Sequence, residues 1–231
     1  METIEKQKWE ELLASAETGS PEAQWEAGYY LEQGALDASG DTVVTANAPE
    51  ALRWYSLAAE RGYPAAQIAL SNLLSSGDGI ERDFAAAIRW ARKAMDQGDI
   101  TAAYNLGTIY SDLKKPAMAF RCYQRAVAMG DNDALLQVGL CHLFGFGTKQ
   151  DFDAAYAALQ RLTTGEPSAS CQRSRENALY WIAVLTLMGL GKGRKSVAGA
   201  RKLLELANAD DDHEQANEVL NLIGKSRYLG T

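Results

Sequence analysis

The chain is poor in the residues that carry most catalytic and metal chemistry. It has three cysteines and two histidines in 231 residues. Cys122, Cys141 and Cys171 show no metal-clip spacing, and an odd count argues against a complete disulfide framework. His142 and His213 fall in different elements. His142 follows Cys141, but adjacent helical residues point about 100° apart and do not face each other. Proline is scarce, with five residues, which suits helices. Long apolar runs are missing too. The most apolar stretch, Ala178 to Leu190, is too short to span a bilayer. The N-terminal METIEKQKWEELL is charged and amphipathic, unlike a signal peptide. These absences lead us to expect a cytoplasmic protein with no cofactor, no metal and no membrane insertion.

Positive charge is also in short supply. With 23 basic and 30 acidic residues the net charge is −7, which argues against nucleic acid as a general partner. The imbalance sits at one end. Residues 1–50 hold eleven acids against Lys6 and Lys8, a charge of −9, leaving +2 for the rest. This reads either as the solvated end cap of a helical array or as a surface that steers a cationic partner. Two motif-like stretches fail on inspection. Gly189-Leu190-Gly191-Lys192-Gly193 follows a helical pattern rather than a strand, and no Ser or Thr follows the Lys, as a phosphate loop requires. Asp210-Asp211-Asp212 lacks the alternation of a calcium loop. No constellation supports an enzyme.

What the chain does have is a repeated unit, clearest between Ala66 and Ala103. A helical pattern with Ala66, Leu70 and Leu74 on one face ends at Gly77 and Gly79. A second pattern, opened by Asp83 as N-cap, carries Ala87, Trp90 and Ala94 and ends at Gly98. The closing glycine recurs as Gly19, Gly62, Gly98 and Gly130, at spacings of 43, 36 and 32 residues. A short residue follows four positions later each time: Ala23, Ala66, Ala102 and Ala134. A period in this range marks a stacked repeat array. Small residues recur within the first helices, at Gly28, Ser71, Gly107 and Gly139, where neighbouring helices would pack closely. Ala183 takes that place in the last repeat. Trp54 and Trp90 are expected to be buried between helices.

Leu106-Gly107 with Tyr110, Trp54-Tyr55 with Ala58-Ala59, Gly77-Asp78-Gly79 and Gly145-Phe146-Gly147 resemble the Sel-one-like repeat family, relatives of the tetratricopeptide repeats. The resemblance implies an all-α fold, a right-handed α-solenoid of about five helix-turn-helix repeats with capping helices and no sheet. As a single domain over 1–231, it would comprise an N-terminal cap (1–19), repeats at 20–62, 63–98, 99–130, 131–166 and 174–211, and a C-terminal cap (212–231). Residues 35–49 read as an insertion projecting from one edge, and 163–174 as a second loop.

The resemblance also implies adaptor-like binding on a concave face lined by the first helices. Counted from the small residue, positions −3 and +1 would face the groove. These are Trp25 and Tyr29, Ile68 and Asn72, Tyr104 and Thr108, Leu136 and Leu140, Tyr180 and Val184. Glu32, on the acidic end, joins them. Trp25, Tyr104 and Tyr180 read equally well as packing between repeats. The expected function is a non-catalytic module, adaptor or inhibitor, that binds a protein or peptide partner, cationic if the acidic end steers it. Two other readings stand beside it: an immunity protein that neutralises a toxin, and a self-assembling scaffold. The oligomeric state is left open.

Overall fold

Many helices start where the local sequence supplies a cap or a proline. The computed structural model describes residues 2–164, 172–192, 195–210 and 212–225, and is an all-α repeat fold. The expectations for Cys171, Gly193, Asp211 and most of the 163–174 loop lie outside the described residues. Twelve helices are found among those described: α1 (Lys6–Glu17), α2 (Pro21–Gln33), α3 (Ala48–Glu60), α4 (Pro64–Ser76), α5 (Phe84–Asp96), α6 (Ile100–Asp112), α7 (Pro116–Met129), α8 (Ala134–Phe144), α9 (Phe152–Thr164), α10 (Gln172–Met188), α11 (Val197–Ala207) and α12 (Glu214–Lys225). The side chains of Ser20, Asn47, Asp83, Asp151 and Ser196 each accept a first-turn N–H of the helix that follows. Such a cap satisfies a donor that has no partner within the helix.

The helices of a repeat meet at the small residue of the first. A β-carbon on Gly28 would stand 2.6 Å from the Tyr55 ring, and one on Gly139 would stand 2.8 Å from the Leu159 side chain. Ser71 occupies the equivalent place in α4, fully buried, and its hydroxyl donates to the Ala87 carbonyl at 2.9 Å. The residue one turn beyond Ala87 is Ala91, where the other two pairs have Tyr55 and Leu159. Volume is traded across the contact: a large side chain on the second helix requires glycine on the first, and alanine leaves room for serine.

Two devices join one repeat to the next. The first is a pair of buried glutamines. Gln24 donates to the Ala16 carbonyl at the end of α1 (3.0 Å), and Gln67 donates to the Ala59 carbonyl at the end of α3 (3.3 Å). Their own oxygens accept from Arg61 (2.7 Å) and Gln97 (3.0 Å). The second is the Gly-x-Gly turn. Gly79, Gly147 and Gly191 have φ near +70°, and a β-carbon there would meet Ala48, Pro116 and Phe152, which lie at the N-terminal starts of α3, α7 and α9. At Gly147 the Pro116 carbonyl oxygen would lie only 2.0 Å away, so no side chain fits. Each turn therefore rests on the N-terminus of the preceding repeat's second helix.

The chain divides into two compact units, Met1–Ile109 and Tyr110–Thr231. The first has a core of Trp54, Tyr55, Leu70 and Leu73 set among alanines such as Ala27, Ala51, Ala58 and Ala66. The second has one cluster around Leu135, Leu143, Leu159 and Leu185, and another around Ala183, Ala200, Leu204 and Ile223.

Two expectations are corrected. The chain is not free of sheet: β1 (Glu2–Thr3), β2 (Ala35–Leu36) and β3 (Thr42–Val44) form a small sheet in that order. β1 pairs with β2 in parallel, and β2 with β3 antiparallel. The insertion does not simply project. Asp37 Oδ1 accepts the N–H groups of Ser39 (2.8 Å) and Asp41 (3.0 Å), which closes a hairpin. The β-branched run Thr42-Val43-Val44 suits the returning strand, and the hairpin buries Ala35 and Val44 against the first core. The second correction concerns Trp90. Trp54 is buried, but Trp90 is half-buried, with the Lys93 ammonium 4.2 Å from its ring centroid.

The Gly139–Leu159 contact makes a sign-changing prediction. Gly139→Ala should destabilise the second unit in urea unfolding, although helix propensity alone favours alanine by about 1 kcal/mol. In a Leu159→Ala background the same change should stabilise it. Equal effects in the two backgrounds would mean that the contact does not limit packing.

Candidate functional site

One turn of helix separates Trp25 from Tyr29 on α2, and one turn separates Ile68 from Asn72 on α4. The structure brings these four together with Glu32 around one depression of about 360 Å³ in the first unit. Tyr55, Asp99 and Thr101 complete its polar lining. Trp25 and Tyr29 are half-buried, and their rings stack at 29° with centroids 6.3 Å apart. The Tyr63 ring is tilted at 56° to that of Trp25, with centroids 6.0 Å apart.

Most of the polar groups here are held in place. The Tyr55 hydroxyl donates to Glu32 Oε2 at 2.7 Å. Burial, then this hydrogen bond to a carboxylate, pushes the Tyr55 phenol far above its usual pKa. The Tyr29 hydroxyl donates to Glu2 Oε1 at 2.8 Å, which raises its pKa as well and ties the rim of the depression to β1. Asn105 Nδ2 donates to Asn72 Oδ1 at 2.8 Å and so joins α4 to α6. Asp99 Oδ1 accepts the Ala102 N–H at 3.1 Å, capping α6. On α6, Tyr104 is half-buried and Thr108 exposed, and both lie outside the lining of the depression. A second depression of about 610 Å³ at the N-terminal end is walled by Glu5, Glu11 and Glu26, with Lys8 as its one base.

The residues named in the second unit have different surroundings. Leu140 lines an apolar cleft of about 540 Å³ with Pro116, Tyr123, Cys141, Phe144 and Phe146. Phe144 and Phe146 are 48% and 59% exposed, with ring centroids 5.8 Å apart. Tyr180 is half-buried in the C-terminal cluster, its ring against Trp181 and His213. Val184 is half-buried, and Leu136 is buried in the core, so its position faces inward in this repeat.

The neighbours Cys141 and His142 form no activated pair. Burial pushes the Cys141 thiol up to about 11, the opposite direction from a nucleophile. His142 lies edge-on to Phe120 at 5.1 Å. Among the described residues, no group of three His, Cys, Asp or Glu is placed to hold a metal.

Sequence reasoning missed Tyr55 as a member of the depression, along with Asp99. The signal for Tyr55 was present, since an aromatic follows Trp54 at the place where Ala91 follows Trp90. It also missed the Phe144–Phe146 surface, whose signal is a phenylalanine between the two glycines of a turn.

The Sel1 repeat pattern matches residues 21–63, 64–99, 100–131, 132–157 and 176–212. Among solved structures, a protective antigen of uropathogenic Escherichia coli strains with an SLR fold is 28% identical. It superposes with a TM-score of 0.75 over 93% of this chain and 43% of that one. A Sel1 repeat protein from Oxalobacter formigenes is 27% identical, with a TM-score of 0.71 over 92% of this chain and 80% of that one. The ERAD-associated E3 ubiquitin-protein ligase component HRD3 of Candida glabrata is 34% identical over 110 residues, 44% of this chain and 13% of that protein. The chain thus spans about an eighth of that relative's length.

The Tyr55–Glu32 bond predicts an alkaline effect. Folding holds Tyr55 protonated above its unfolded pKa of about 10. Above that pH the unfolded chain releases the proton and the folded chain keeps it, so stability falls as pH rises. Urea unfolding at pH 9 and near pH 11 should show this loss in the wild type and a smaller loss in Tyr55→Phe. An identical loss in both would remove Tyr55 as a source.

Proposed function

Because the chain belongs to the Sel1 repeat family, whose repeats bind other proteins, we propose that it is a non-catalytic protein-interaction module. It holds a segment of a partner protein against the first helices of its repeats. The observation that carries this reading is the depression built jointly by α2 and α4, where aromatic rings stand beside anchored carboxylates. Aromatic side chains bury large area with few rotors and dominate the energetics of many interfaces.

In the first unit the contact residues of this proposal are Trp25, Tyr29, Glu32, Asn72, Tyr104 and Thr108. In the second they are Leu140, Tyr180 and Val184. The acidic excess over residues 1–50 supports a cationic partner drawn in by long-range attraction. Such a module acts as an adaptor or an inhibitor; an immunity protein covering a cationic toxin is one instance. The reading places the protein in the cytoplasm. Among the described residues, no helix is long and apolar enough to cross a membrane, and Cys141 is a thiol. The exposed Phe144 and Phe146 favour a second reading, self-assembly of the chain, which a mass measurement in solution separates from the first.

With a partner in hand, surface plasmon resonance tests the proposal. Trp25→Ala should raise the dissociation rate, at roughly 2 kcal/mol or more. Charge reversal at Glu22 and Glu26 should slow association at low salt, an effect that fades as salt screens it. Unchanged off-rates for folded Trp25→Ala and Tyr29→Ala would place the site elsewhere.

A further inference from the structure

The depression on the first unit has a more specific chemistry than an aromatic surface. We infer that it is a receptor for one arginine side chain carried by the partner segment. This rests on the reading that the face binds protein, and goes on to the chemistry of what enters it.

The rings come first. Trp25 and Tyr29 lie within 29° of parallel, and each is half-buried, so part of each ring faces the solvent. Tryptophan is the best aromatic partner for a cation over its face, and tyrosine is also effective. The carboxylates come second. Glu32, near the end of α2, and Asp99, the cap of α6, line the same depression, and no Lys or Arg does. Each is anchored by one oxygen: Glu32 Oε2 accepts from Tyr55, and Asp99 Oδ1 accepts from the Ala102 N–H. Glu32 Oε1 and Asp99 Oδ2 have no hydrogen-bond partner among the described residues, so each carboxylate keeps an acceptor for an incoming donor. The third component is the apolar wall. Ala65, Ile68 and Ala69 suit the methylene stem of a long cationic side chain.

Size and shape decide between candidates. About 360 Å³ is at the small end of ligand pockets, which run from roughly 300 to 1,000 Å³. It has room for one long side chain. Guanidinium is planar, weakly hydrated and rich in donors, so it stacks on a ring while donating to carboxylates. Lysine's ammonium is a compact, strongly hydrated charge and uses the flat rings less well. A neutral ligand would bring no charge to two carboxylates.

Nuclear magnetic resonance on the full chain tests this without the natural partner. The Trp25 indole N–H signal, assigned with Trp25→Phe, is followed during titration with N-acetyl-arginine amide. The citrulline amide, an uncharged isostere, and the lysine amide are the comparisons. Arginine should give a saturable shift, with citrulline binding at least about tenfold more weakly and lysine also more weakly. Glu32→Gln, which still accepts the Tyr55 hydroxyl, should weaken arginine by about tenfold. Asp99→Asn keeps the helix cap, should have a similar effect, and carries the test if Glu32→Gln does not fold.

No saturable shift with arginine, equal affinity for citrulline, or arginine binding indifferent to both variants would overturn the inference. The broader reading fails separately. If a partner's off-rate still rises with Trp25→Ala, the face binds protein by some other chemistry; if it does not, the face itself is wrong.

Discussion

Everything in this chain depends on how closely the two helices of a repeat can approach. Gly28 under the Tyr55 ring, Ser71 under the Ala87 carbonyl and Gly139 under Leu159 are three solutions to one steric problem. An interior packed to crystal-like density has no slack for an extra methylene, so a large side chain on the second helix leaves room only for glycine on the first, and alanine admits serine. The Ser71 solution adds a requirement, because a buried hydroxyl needs an acceptor. The neighbouring helix supplies one from its own backbone.

Once each pair is closed, the links between pairs decide what the surface offers. Gln67 ties the start of α4 to the end of α3, and Gln24 ties α2 to α1 in the same way. These bonds also satisfy carbonyls that a helix end leaves open. Arg61, just past the end of α3, donates to Gln24 and completes a link from α2 through α3 to α4, the pair of helices that carries Trp25, Tyr29 and Asn72 around one depression. The depression is therefore a consequence of repeat-to-repeat alignment. Its walls come from different repeats, and a single repeat could not make it.

The repeat, its caps and its turn glycines were legible because each is a local device with a local signal. Ser20 before Pro21, Asp83 before Phe84 and the Gly-x-Gly turns need no knowledge of distant residues. The grouping of Trp25 with Tyr29, and of Ile68 with Asn72, was legible for the same reason, since one turn of helix sets it. Tyr55 was not, because its hydroxyl reaches Glu32 only when α2 and α3 close on Gly28. Trp90 misled because burial depends on what stands opposite it, and here the Lys93 ammonium lies over its ring. Leu136 shares its repeat position with Trp25, yet turns into the core. The sheet left no trace because strands of two and three residues are too short to show alternation.

The small sheet packs Ala35 and Val44 onto the first core, and its edges carry a consequence for life in a crowded solution. Strands at the edge of a sheet would normally invite a neighbour's strand to add on. Here the outer strands are β1, with two residues, and β3, with three. So few open backbone groups make a poor template for another chain, and Glu2 on β1 spends its carboxylate on Tyr29. The first core gains a cover, and the cover presents almost nothing on which aggregation could begin.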